Sequence, residues 1–164
     1  MSRLFNAPLL LDTIRLLLPT RQETSLLRAC LGVDTERSWQ DWRTGEPDLK
    51  KAIAGSPACK RLLPLLFFTL TRERIAVAQD DLALLRVAAT WEERRVRRMN
   101  LLLTGILEAL RRNAVEPVVL KGVALAHLAY PKPSLRHCHD IDLLVPKDLH
   151  GKAAEVISRL GFSK

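Results

Sequence analysis

The sequence predicts an α+β protein: an all-helical region over residues 1–113, then a small α/β module over residues 114–164. Three observations predict it. Residues 8 to about 112 hold few β-branched residues and many Leu, Ala and Arg, with caps and stops between apolar stripes of helical spacing. At Val115 the character changes, and "EPVVLKG" sets a short β-type run between a proline and a glycine. "DIDLLVP" is a second such run, and a helix-like segment follows each of the two, so the order is strand, helix, strand, helix.

Taken in order, Leu10, Ile14, Leu17 and Leu18 recur at helical spacing, and Pro19 closes that first helix. Thr20 is then an N-cap with Glu23 as its capping-box partner three residues on, and Gly32 is the stop. A third helix fits Thr35 to Trp42, ended by "RTGEPD", and a fourth fits Asp48 to Ala54, ended by Gly55. An apolar stretch runs from Pro57 to Leu70. A long helical pattern follows from about Ile75 to Asn113, with a break expected near Asn100. Along it, Leu82, Leu85, Ala89, Met99, Ile106 and Leu110 trace a stripe that belongs to a core. The arginines of "WEERRVRRMN" read as a solvated face laced with Glu92 and Glu93. In the module, "VALAHLAY" is a short helix interrupted by "PKPS". The last helix has Asp148 as cap and Gly161 as stop.

With 164 residues, 48% of them hydrophobic, the chain can bury a core. A formal net charge of +8 favours polyanionic partners. Cys30, Cys59 and Cys138 are odd in number and far apart without a CxxC pair, which argues against a disulfide framework and for a reducing, cytoplasmic setting. The apolar N-terminus carries Asp12 and Arg15 inside its run, unlike a signal peptide. The longest uncharged apolar run, Leu62 to Leu70, falls short of the roughly 20 residues of a membrane span and contains Pro64.

The chemistry concentrates in "RHCHDIDLLV", residues 136 to 145. In a strand, residues two apart share a face. Asp140 and Asp142 are thus expected on one side, with Ile141, Leu143 and Val145 packed on the other. Two neighbouring carboxylates repel unless a cation lies between them, and Mg²⁺ (or Mn²⁺) suits a site of one or two carboxylates completed by water and phosphate oxygens. Upstream, "VVLKG" ends the first strand with Gly122 at a helix start, where backbone N–H groups and the helix dipole favour a phosphate, and Lys121 adds a point charge. His137, Cys138 and His139 are metal-capable. However, adjacent residues of an extended segment point in opposite directions and no second ligand cluster occurs, so zinc is not expected.

Val118 to Val145, "VVLKGVALAHLAYPKPSLRHCHDIDLLV", resembles the signature of the nucleotidyltransferase superfamily with the DNA polymerase beta-like fold. It most resembles an uncharacterised bacterial branch whose motif runs Lys-Gly, Tyr-Pro, Arg, then Asp-Ile-Asp-Leu-Leu-Val. The resemblance implies transfer of a nucleoside monophosphate from a nucleoside triphosphate to an acceptor, which could be a protein, an RNA or a small molecule. It implies Asp140 and Asp142 as the metal-binding, catalytic pair, Gly122 with Lys121 on the phosphate side, and Arg136 as a neutralising charge. Tyr130 is expected to pack at the helix end. Members of the fold normally add a third carboxylate from a later strand. Here the only acids after Asp142 are Asp148 and Glu155, both in the expected last helix or its cap. The chain is therefore expected to be the N-terminal half of such a module. Two further readings stay open: a non-catalytic module that binds nucleotide, nucleic acid or a partner, and an antitoxin-like transferase that modifies a partner protein or RNA.

Overall fold

A computed structural model describes residues 18–46 and 48–162. The expected first helix, residues 8 to 18, therefore lies outside the described residues except for Leu18. The chain is α+β, as its pattern predicts, with helices far outweighing one two-stranded sheet. The helical part comprises α1 (Arg21–Leu31), α2 (Thr35–Gly45), α3 (Leu49–Gly55), α4 (Pro57–Arg72) and α5 (Gln79–Arg112). Then come β1 (Val118–Leu120), α6 (Lys121–Ala129), a 3₁₀ turn (Pro133–Leu135), β2 (Asp142–Leu144), a second 3₁₀ turn (Lys147–Leu149) and α7 (His150–Arg159).

Local chemistry explains the boundaries. The Thr20 hydroxyl accepts the Glu23 N–H at 3.2 Å and the Glu23 carboxylate accepts the Thr20 N–H at 2.8 Å. This closes the capping box that starts α1. Gly32 ends α1 at φ +73°, a left-handed conformation that costs glycine nothing. The Asp48 side chain caps α3 and the Ser56 hydroxyl caps α4, in which Pro57 sits in the first turn. α5 runs unbroken past Asn100. The Asn100 amide is engaged with His127 Nε2 at 3.1 Å instead of competing for its own backbone, so the expected break does not occur. Asp148 is not a helix cap: it lies inside the second 3₁₀ turn, and Leu149 precedes α7 without a side-chain bond.

Two cores share α5. Its first half sends Leu85 into the helical core, with Leu26, Trp42, Leu63, Leu66 and Leu70. The ring of Trp42 lies 5.5 Å from that of Trp39, and an ion pair of 2.8 Å from Arg43 to the buried Asp81 ties α2 to α5. The second half of α5 sends Ile106 and Leu110 into the core of the module, with Val115, Ala153 and Val156. Ile141, Leu143 and Val145 pack against that core, which is the alternation expected of the strand. A third small cluster joins Val123 and Ala126 of α6 to Cys138. One helix thus belongs to two cores, on either side of the change in secondary structure at residues 113/114. No described helix is long and apolar enough to cross a membrane.

β1 and β2 pair antiparallel, with Val118 opposite Leu144, Val119 opposite Leu143 and Leu120 opposite Asp142. The strand expected from Asp140 onward is therefore shorter. β1 turns into α6 at Lys121, so Asp140 and Ile141 have no partner strand and lie just ahead of β2.

Candidate functional site

The site grows out of that register. Because Leu120 pairs with Asp142, the turn from β1 into α6 is set beside the carboxylate of Asp142. Lys121 Nζ lies 3.1 Å from Asp142 Oδ1, with the lysine exposed and the aspartate half-buried. Asp140, two residues earlier, is exposed. Of the residues singled out in the sequence, Lys121, Gly122 and Asp142 are thus brought together, with Asp140 on the chain just before them.

Lys121 opens α6 at φ +49°, a left-handed conformation that non-glycine residues rarely adopt. Strain of this kind costs about 1–2 kcal/mol and persists where the surrounding structure fixes the backbone; Asp34, Arg74 and Ala114 share the conformation. A prediction follows from the backbone. Lys121→Val, β-branched at positive φ, should lower stability by about 1–2 kcal/mol, whereas Lys121→Gly should stay within about 1 kcal/mol of the parent, since glycine accepts this φ and an exposed ion pair contributes little. Urea unfolding of the two variants checks it.

Gly122 has a role the sequence did not suggest. A Cβ there would lie 3.1 Å from the Sγ of Cys138, so the absent side chain makes room for that thiol. Cys138 is buried, burial pushes its pKa up, and its thiol donates to the Arg136 carbonyl at 3.6 Å. Arg136 places its guanidinium 5.9 Å from the centre of the Tyr130 ring, and its Nε is buried without a hydrogen-bond partner among the described residues. Tyr130 therefore packs at the end of α6 as expected, and it does so under Arg136.

Glu92 departs from the expected solvated face. It is buried, and its carboxylate accepts from Arg95 Nε at 3.1 Å and from His137 Nδ1 at 3.0 Å, so that ring nitrogen carries the proton. The same Arg95 donates through Nη1 to the backbone carbonyl of Cys138. One sign in the sequence could have found this acid: Leu85, Glu92, Met99 and Ile106 are spaced by seven, so Glu92 sits on the apolar stripe of α5. Burial pushes the Glu92 carboxyl up, but its bonds to Arg95 and His137 and their charges hold it below its ordinary value. The stability it contributes is therefore present above the unfolded carboxyl value of about 4.3 and lost as pH falls through the lowered folded value. Thermal unfolding should show a smaller loss of Tm between about pH 6 and about pH 3 in Glu92→Gln than in the parent. His139 stands edge-on to His137 with ring centroids 4.4 Å apart, and the charge of His137 holds its pKa down.

Asp140 and Asp142 carry hard oxygen donors, the ligand type that Mg²⁺ or Mn²⁺ takes, and the Lys121 ammonium faces the second of them. Among the described residues, no cluster of three or more His, Cys, Asp or Glu is arranged to hold an ion. Glu155 is paired with Arg159 at 2.5 Å and Asp148 is exposed in its turn.

A family model described as an uncharacterised nucleotidyltransferase matches residues 58–164, from α4 through the whole α/β module. No curated protein and no solved structure matches the chain.

Proposed function

Because the chain belongs to the uncharacterised nucleotidyltransferase family, we propose that it transfers a nucleoside monophosphate from a nucleoside triphosphate to an acceptor, using Mg²⁺ or Mn²⁺ held by Asp140 and Asp142. One observation carries the reading: the register of Leu120 opposite Asp142 sets the Lys121–Gly122 turn beside a carboxylate, with Lys121 Nζ 3.1 Å away. A triphosphate at that turn meets the first N–H groups of α6 and the Lys121 ammonium. Arg136, whose guanidinium lies 5.9 Å from the Tyr130 ring, is the second charge in this proposal. The ion, when bound, neutralises phosphate charge. The acceptor nucleophile forms its bond to the α-phosphorus, and the bond to the bridging oxygen breaks as pyrophosphate leaves. Lys121 then has two tasks. It partners Asp142 when no triphosphate is bound, and it turns to the phosphates when one is.

A second reading is favoured by the state of the remaining acids. With Glu155 paired to Arg159 and Asp148 in an exposed turn, two carboxylates suffice to bind a metal–nucleotide complex without transferring from it. Labelled nucleoside triphosphates incubated with the chain, Mg²⁺ or Mn²⁺ and candidate protein and RNA acceptors decide between the two. Transfer of label supports the transferase, and binding without transfer supports the binding module. In either case Lys121→Ala and Arg136→Ala should each weaken nucleotide affinity about tenfold, the worth of one charge-assisted hydrogen bond. Unchanged affinity in both variants would contradict the phosphate side.

A further inference from the structure

We infer that Glu92 and Arg95, on the long helix α5, are positioning residues that hold the aspartate-bearing segment in register; the inference rests on the proposed nucleotide site. Asp140 precedes β2, so strand pairing does not fix it. The backbone just before it is fixed from outside the module instead. Arg95 donates to the carbonyl of Cys138, and His137 donates to Glu92 at 3.0 Å. Arg95 also binds both carboxylate oxygens of Glu92, so donor and acceptor orient each other. On the opposite side Cys138 fits the space left by Gly122, 3.1 Å from where a Cβ would stand. Residues 137 and 138 are thus clamped between α5 and the start of α6, and Asp140 follows two residues later.

Burial makes this clamp directional. Glu92 is 8% exposed, and a buried carboxylate keeps its charge only if its partners stay in place. A shift of the 136–140 segment away from α5 would leave Glu92 short of one donor and Arg95 of one acceptor. The helical region thereby sets the geometry of the carboxylate pair as well as supporting the module. Outer partners of this kind typically change metal affinity 10–100-fold when removed. The network borders an open cavity of about 1370 Å³, lined by Glu92, Arg95 and His137 among others, so a small cation can reach the place of a deleted guanidinium.

The test uses the full chain as Arg95→Ala, with Arg95→Lys as a second variant should the first not fold. Mn²⁺ binding in the presence of a nonhydrolysable nucleoside triphosphate is followed by electron paramagnetic resonance, and the backbone amide shifts of residues 139–143 by nuclear magnetic resonance. Expected are a tenfold or greater loss of Mn²⁺ affinity, displaced amide shifts, and partial recovery of both on adding guanidinium. Wild-type affinity and unmoved amide shifts in Arg95→Ala would overturn the inference. A parent chain that binds no Mn²⁺ with nucleotide sinks the nucleotide-site reading instead. The amide shifts alone then decide the clamp: displacement reversed by guanidinium upholds it, and its absence overturns it.

Discussion

Asp142→Ala is expected to lower transfer of labelled nucleotide at least about 100-fold while leaving the folded chain within about 1 kcal/mol of the parent. The two halves of that expectation have different causes. Loss of transfer would follow from removing one of the two carboxylates proposed to hold the ion against the phosphates. Near-normal stability follows because the Asp142 pairing with Lys121 is made to an exposed ammonium, and such pairs contribute little to folding. Asp140→Ala should behave alike, with an even smaller effect on folding because the residue is exposed and outside the strand. Label transfer and urea unfolding on the same preparations separate a chemical defect from a folding one. Equal labelling in parent and both variants would remove the aspartates from the site.

The largest stability effect is expected from Leu110→Ala. Leu110 is fully buried where α5 meets Val115, Ala153 and Val156. Removing its isobutyl group from a closed core should cost about 3 kcal/mol through lost burial and the cavity left behind. Leu101→Ala is the control: it lies on the same helix, is 70% exposed, and should change stability by less than about 0.5 kcal/mol. Urea unfolding of both checks the claim that the second half of α5 is part of the module's core. Equal, small effects would contradict it.

Much of this fold is legible residue by residue. Thr20, Glu23 and Gly32 bound α1, and Asp48 starts α3, because capping is local chemistry between residues two to four apart. The Ile141, Leu143, Val145 alternation correctly assigned the packed side of the strand. What escaped depends on contacts distant in sequence. The break expected at Asn100 is absent because His127 engages its side chain, and β2 is cut short because its partner strand ends at Leu120. In the site, Lys121 and Asp142 were legible as residue types, while their meeting is a consequence of strand register. In the sequence, His137 and Cys138 stand out only as metal-capable residues. They are the segment's attachment to Glu92, Arg95 and Gly122, and that attachment spans 45 residues between His137 and Glu92.

Asp140, Asp142 and the Lys121–Gly122 turn are proposed to form one metal–nucleotide site. Titration of the full chain with Mn²⁺, with and without a nonhydrolysable nucleoside triphosphate, tests it most directly. Mn²⁺ binding that the nucleotide strengthens is expected in the parent, and its loss is expected in Asp142→Ala. Nucleotide-dependent Mn²⁺ binding of equal strength in Asp142→Ala would contradict it.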